Sequence, residues 1–249
     1  MRLPVRAAVV PYMGKFEGTC PHMYLDVYGK VTTAIGCLID SIPSAVTVTW
    51  IHRLTNESAS MSEVAAAWTT VKAAQGMAKL GGGAFAQLTD LRLTADGIAT
   101  LVEQRLSQDE EYLRRRFHDY DDWPCDAQLG VLSNAWAAGA AWVAPHFDAA
   151  AKVHDWQACA GPEGDAGADP SCRGHAWLND HLDVESDPLR NPGLRPRNLA
   201  TKILFENAAL GSEPSVLYWP EKLSSSLWPD YLSELSPAAV GSAGGILIG

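Results

Sequence analysis

The chain has 249 residues, 47% hydrophobic and 19% charged, which suits one large folded domain, or two lobes sharing a helix, and excludes extensive disorder. Lys and Arg number 19 against 29 Asp and Glu, a net charge of −10, so the basic face of a nucleic-acid binder is not expected. No apolar run approaches the roughly 20 residues of a membrane span. Residues 7–10 are too short for the core of a signal peptide, and Pro11 interrupts them. Five cysteines, Cys20, Cys37, Cys125, Cys159 and Cys172, leave at least one free thiol, which excludes a pure disulfide scaffold. Cys159 and Cys172 flank a Gly/Asp/Pro-rich loop and could pair in an oxidising compartment; the alternative is two free thiols.

In chain order, residues 3–16 read as a helix with Leu3, Ala7, Val10 and Met13 on one apolar face. Residues 23–37 read as a hairpin. Its two arms are rich in β-branched and aromatic residues, Tyr28-Gly29-Lys30 forms the loop, and Gly29 supplies a left-handed position. A helix is predicted over 60–75, capped by Ser60 or Ser62, with Val64, Ala67, Trp68 and Val71 on one face. The glycines at 81–83 mark a turn or hinge, since they lack the lysine and strand context of a phosphate loop. A long helix follows over 94–117, capped by Thr94, with an apolar stripe of Ile98, Leu101, Val102, Leu106, Tyr112 and Leu113. Glu110 with Arg114 and Glu111 with Arg115 are i,i+4 pairs, and the arginines at 114–116 suit the negative end of that helix. Residues 126–143 are apolar nearly all round, which predicts a buried helix with Asp126 at its cap. Another helix covers 145–158, a long loop 159–196 and a last clear helix 198–208; the final forty residues carry no clear assignment.

The residues that can carry chemistry are Glu17, Asp26 and Thr32. Glu17 ends the first predicted helix, where the dipole's negative end and apolar flanks push a carboxyl pKa up, as a general acid requires. With the loop at Tyr28–Lys30, Asp26 is expected directly opposite Thr32, so a carboxylate and a hydroxyl can hold one water. That set suits an inverting glycosidase. A protonated acid serves the leaving oxygen, and a second carboxylate, roughly 6.5–9.5 Å away, orients water on the opposite face of the sugar.

The spacing Glu17-Gly18, Tyr24-Leu25-Asp26, Gly29, Thr32 and Gly36 resembles the active-site motif of phage-type lysozymes, glycoside hydrolase family 24. Two departures are visible: Ala34 stands where that motif has Gly, and Cys37 where it has His. Residues 93–96 resemble the start of that family's inter-lobe helix. Asp126 to Leu129 with Asn134, Trp136 and Gly139 resemble its buried helix, and residues 191–198 its late helix. The resemblance implies an α+β, mostly helical, two-lobe lysozyme-like domain over 1–249. The small hairpin lobe would be 15–93, the connecting helix 94–117, and the larger helical lobe 118–249 with 1–14, with the cleft between the lobes. It implies hydrolysis of the β-1,4 bond between N-acetylmuramic acid and N-acetylglucosamine in peptidoglycan. Glu17 would be the acid, Asp26 and Thr32 would orient water, and Tyr24, Gly36, Asn134 and Arg197 would contact substrate. An arginine near Glu17 would oppose a raised pKa, so Arg197 is expected to act by positioning.

The chain is longer than a minimal phage lysozyme, and it is acidic without a signal peptide. In this it resembles the lysozyme-like domains of pesticin-type and type VI secretion toxins. A monomer made in the cytoplasm, acting on the wall or in the periplasm of a target bacterium, is then expected. Its partners would be peptidoglycan and an immunity protein or secretion carrier, with no cofactor and no metal. Two rival readings stay open: an amidase or peptidase using Cys37 as nucleophile, and a non-catalytic wall-binding module. His154, Cys159, Cys172 and His175 have tolerable zinc spacing, but the intervening loop is acidic and no second close pair supports a site. Of the tryptophans, Trp136 and Trp142 are expected in the core; Trp68, Trp123 and Trp177 are the better candidates to line a sugar groove, with ordinary packing the favoured alternative for each.

Overall fold

The computed structural model describes residues 1–161 and 194–223. The protein is mixed α+β and mostly helical, with small antiparallel sheets. Its contacts divide into two compact units, one of Met13–Gln108 and the other of Met1–Tyr12 with the described residues from Asp109 onward. Helices α1 (Leu3–Glu17) and α4 (Ala95–Arg116) contribute residues to both. Cys172, His175 and Trp177 lie outside the described residues, as do most of the predicted 159–196 loop and the final stretch.

Helix α1 forms where expected, but its buried face is not the predicted one. Leu3 is 84% exposed and Val10 37%, while Val5, Val9, Tyr12, Met13 and Phe16 are buried. These recur at i, i+4, i+7, i+8 and i+11, the same helical period with Met13 shared but Val5, Val9 and Tyr12 standing two positions on from the predicted Leu3, Ala7 and Val10.

In the Met13–Gln108 unit, β1 (Cys20–Leu25), β2 (Val31–Ala34) and β3 (Cys37–Leu38) form a meander. A second ladder, unforeseen in the sequence, pairs β4 (Trp50–His52) with β5 (Leu91–Leu93). Each of these strands has three residues, too few for a period-2 pattern to register. Helix α2 (Ile42–Val46) was also missed; Ser41 caps it in a reciprocal capping box with Ser44. Helix α3 (Met61–Ala73) starts on the predicted Ser60, whose hydroxyl accepts the Glu63 N–H while Glu63 reaches back. It buries Val64, Ala67 and Val71, and Trp68 Nε1 donates to the Ile39 carbonyl at 2.9 Å. Thr94 Oγ1 caps α4 by accepting the Gly97 N–H at 3.0 Å.

In the other unit, α5 (Cys125–Ala138) is the central helix: every residue from Cys125 to Ala137 is buried, as the apolar surround predicts. It ends five residues earlier than expected, at Gly139 with φ +80. Asp126 is its second residue rather than its cap. Helix α8 (Leu194–Leu210) packs against it and is longer than predicted at both ends. A Cβ added to Gly130 would lie 2.9 Å from the Phe205 ring, so the absence of a side chain there sets how closely these helices approach. The helix predicted over 145–158 is two, α6 (Pro145–Lys152) and α7 (Trp156–Ala160). His154 breaks it with φ +57, a backbone that no continuing helix accepts. Trp123 is fully buried among Phe117, Tyr120 and Trp156, with centroids 4.9, 5.8 and 4.8 Å away, so it is core and lines no groove.

Candidate active site

Glu17 is the last residue of α1. Gly18 takes φ +71 and its N–H donates to the Gly14 carbonyl at 3.1 Å, the left-handed arrangement that ends a helix. Glu17 is 5% exposed.

Asp26 builds the hairpin tip. Its carbonyl accepts the Gly29 N–H at 2.9 Å, and its own N–H donates to the Lys30 carbonyl at 2.9 Å. Its Oδ1 accepts the N–H groups of Tyr28 at 2.9 Å and Lys30 at 2.8 Å. Asp first and a left-handed Gly fourth, here Gly29 with φ +71, are what a type I turn closing into a bulge favours. All of these side-chain bonds fall on Oδ1. Asp26 is fully buried, and its Oδ2 has no hydrogen-bond partner among the described residues. Burial lifts the carboxyl above its ordinary pKa, outweighing the lowering effect of the Lys30 and Tyr28 amides and the Lys30 charge.

The register corrects one expectation. Tyr24, not Asp26, stands opposite Thr32, and Leu25 stands opposite Val31. Asp26 therefore faces Lys30, and the loop is Val27-Tyr28-Gly29, because the Asp26 side chain closes the turn one residue early. A slip that moves the partner by two positions keeps the face unchanged. Asp26 and Thr32 remain on one side of the hairpin, as diagonal rather than direct neighbours. Thr32 is buried, and its hydroxyl donates to the Lys30 carbonyl at 3.2 Å. Its single proton is thus used, and its lone pairs are left to accept.

Tyr24 shares that face. It is fully buried, and its hydroxyl has no partner among the described residues. Burial, then the charges of Cys20, Glu17, Cys37 and Asp26, hold its phenol well above the usual pKa. Both candidate carboxylates are therefore within electrostatic reach of the phenol. A Cβ added to Gly82 would meet Cys20 Sγ at 3.2 Å and the Tyr24 ring at 3.4 Å, so the chain lies directly on that ring.

The hairpin is clamped from α3. Lys72 Nζ donates to the Gly29 carbonyl at 2.8 Å and to Asp40 Oδ1 at 2.7 Å, and the same Oδ1 accepts the Val31 N–H at 2.9 Å. Burial pushes the Asp40 carboxyl up, but the Lys72 and Val31 hydrogen bonds and the Lys72 and Lys30 charges hold it below its usual value. Gly36 takes φ +66, and its carbonyl accepts from Arg105. Ala34 takes φ +55, so the position where the sequence departs from the motif's Gly is indeed left-handed. That conformation costs a side-chain-bearing residue about 1–2 kcal/mol.

Asn134 and Arg197, expected to contact substrate, belong to the other unit. Asn134 is buried on α5; Arg197 is buried on α8, where Nη2 donates to Asn198 Oδ1 at 3.2 Å. Cys37 is buried on β3, with Sγ directed at the Ile35 carbonyl 3.9 Å away. A thiol–imidazole pair was missed in the sequence: Cys20 Sγ lies 3.2 Å from His22 Nε2, which also lies 2.9 Å from the Gly82 carbonyl. The i,i+2 spacing on a strand was its only signal. Burial pushes the Cys20 thiol up to about 12, which withholds the thiolate that nucleophilic attack needs. His154 bonds Asp119 at 2.6 Å and stacks on Trp156, and no group of His, Cys, Asp and Glu among the described residues is arranged for a metal ion. No helix of the described residues is long and apolar enough to cross a membrane. No protein-family model matches the chain, and neither a curated protein nor a solved structure matches it.

Proposed function

We propose that this protein is a muramidase that cleaves the β-1,4 bond between N-acetylmuramic acid and N-acetylglucosamine with inversion. The observation that carries the reading is the orphaned Asp26 Oδ2 on the same face as a Thr32 hydroxyl whose proton is already committed. Two neighbouring acceptors take both protons of one water and turn its lone-pair side outward, the orientation a nucleophile needs. In the reaction, the water oxygen bonds to the anomeric carbon as the glycosidic C–O bond breaks. The electron pair of that bond leaves on the departing oxygen, which takes the Glu17 proton. The proton lost by the water passes to Asp26, and exchange with solvent resets both carboxyls. A wall-lytic domain carrying a charge of −10 suits delivery to its target as an antibacterial effector or endolysin better than capture by electrostatic steering.

The test is digestion of isolated peptidoglycan by the purified protein, with products weighed by mass spectrometry. Disaccharide-peptides with a free reducing muramic acid are expected, and Glu17→Gln is expected to abolish them. Free stem peptides would instead indicate an amidase or peptidase, and full activity in Glu17→Gln would exclude this mechanism.

A further inference from the structure

We propose that the Tyr24 hydroxyl is the third point of the water cradle, a positioning residue that fixes the nucleophile of the muramidase reaction; this rests on the reading above. Tyr24 stands directly across the ladder from Thr32, and Asp26 lies two residues further along the same strand line. Alternation puts all three side chains on one face. Two of the three carry buried polar atoms without a partner among the described residues, Tyr24 Oη and Asp26 Oδ2. Buried polar groups are almost always satisfied within a fold, so two orphans on one strand face point to a ligand of complementary polarity.

The polarities fit a single water. Asp26 Oδ2 and Thr32 Oγ1 can only accept from it, while Tyr24 can donate to it. Its phenol stays protonated, since burial and the neighbouring charges oppose ionisation. Two water protons and one lone pair are then engaged. The second lone pair, the one site left of four, is the one that attacks. With only two acceptors the water could still rotate about the axis they define; the third contact removes that freedom. Gly82 and the His22 contact to its carbonyl hold the chain against the Tyr24 ring and keep the hydroxyl in place.

The experiment is Tyr24→Phe in the full chain, assayed on isolated peptidoglycan beside the wild type, with thermal unfolding of both. The expected result is a kcat lowered about 10- to 100-fold with KM within twofold, together with a Tm within about 2 °C of the wild type, because the hydroxyl bonds the water and no group of the described fold. A residue with a structural role would lower Tm instead. An active wild type with a variant kcat within twofold of it would overturn the role of Tyr24 and leave the muramidase reading intact. So would a variant that unfolds, or one whose loss lies in KM. A wild type that releases no reducing disaccharide overturns the muramidase reading and this inference with it.

Discussion

Asp26 does two jobs with two oxygens, and substitution can separate them. Oδ1 ties the turn through Tyr28 and Lys30, and Oδ2 has no structural partner among the described residues. Asn keeps an oxygen for the turn, so Asp26→Asn is expected to stay within about 1 kcal/mol of wild-type stability while losing peptidoglycan cleavage. Asp26→Ala loses the turn bonds as well and should unfold more readily by a further 1–2 kcal/mol or so in urea titration. The folded carboxyl sits above its unfolded value. Ionising it therefore costs stability, and that cost enters as pH rises through the interval between the two values. The acid limb of the wild-type kcat profile should then lie above the ordinary Asp range. Much of this was legible residue by residue: the spacing from Glu17 to Asp26 to Thr32, the left-handed Gly29, and the helix end at Glu17. What was not legible was the register, because a carboxylate that closes its own turn moves the loop by one residue without changing the hydrophobic pattern.

At the level of elements, the hairpin owes its placement to α3. Lys72→Met removes the donor to both Gly29 and Asp40. We expect a loss of about 1 kcal/mol, the scale for a half-exposed charged bond, read by chemical denaturation. Because Asp40 is held below its usual value, its contribution is present above the unfolded pKa and fades as pH falls through the folded one. Wild type and Lys72→Met should therefore converge in stability toward acid pH. In the other unit, Gly130→Ala tests the α5–α8 approach. Ala is the better helix former by about 1 kcal/mol, yet its Cβ would press on the buried Phe205 ring. A net destabilisation of about 1–2 kcal/mol is expected, measured by urea titration. Helices with a cap and a long stripe, α3 and α4, could be read directly. The rotated face of α1 could not, since alanines and valines lie all round it and tertiary packing alone selects the side that is buried. Nor could the break at His154, whose left-handed backbone lies beside a stacking contact on Trp156 and a bond to Asp119.

For the whole molecule, the predicted elements and the resemblance correctly indicated a mostly helical α+β chain, because apolar periodicity over 15–22 residues outweighs a few short strands. The distant ties were invisible in sequence, and Asp126 shows why. From the second position of α5, its carboxylate accepts the N–H groups of Tyr218 at 2.8 Å and Trp219 at 3.1 Å and the Asn207 amide at 3.1 Å. No local pattern announces a bond across some ninety residues. The neighbouring Cys125 lies under the same returning segment, its N–H donating to the Pro214 carbonyl at 2.9 Å and its Sγ directed at Ser215 O 3.3 Å away. Burial raises this thiol above its usual pKa, so a maleimide reagent should label it slowly while the segment stays seated. Asp126→Asn turns an amide donor toward the Tyr218 N–H, and labelling of Cys125 should then accelerate at least tenfold, followed by mass spectrometry of the tryptic peptide. The protein thus carries its own chemical clock for the undocking of residues 211–223, one that runs without any substrate.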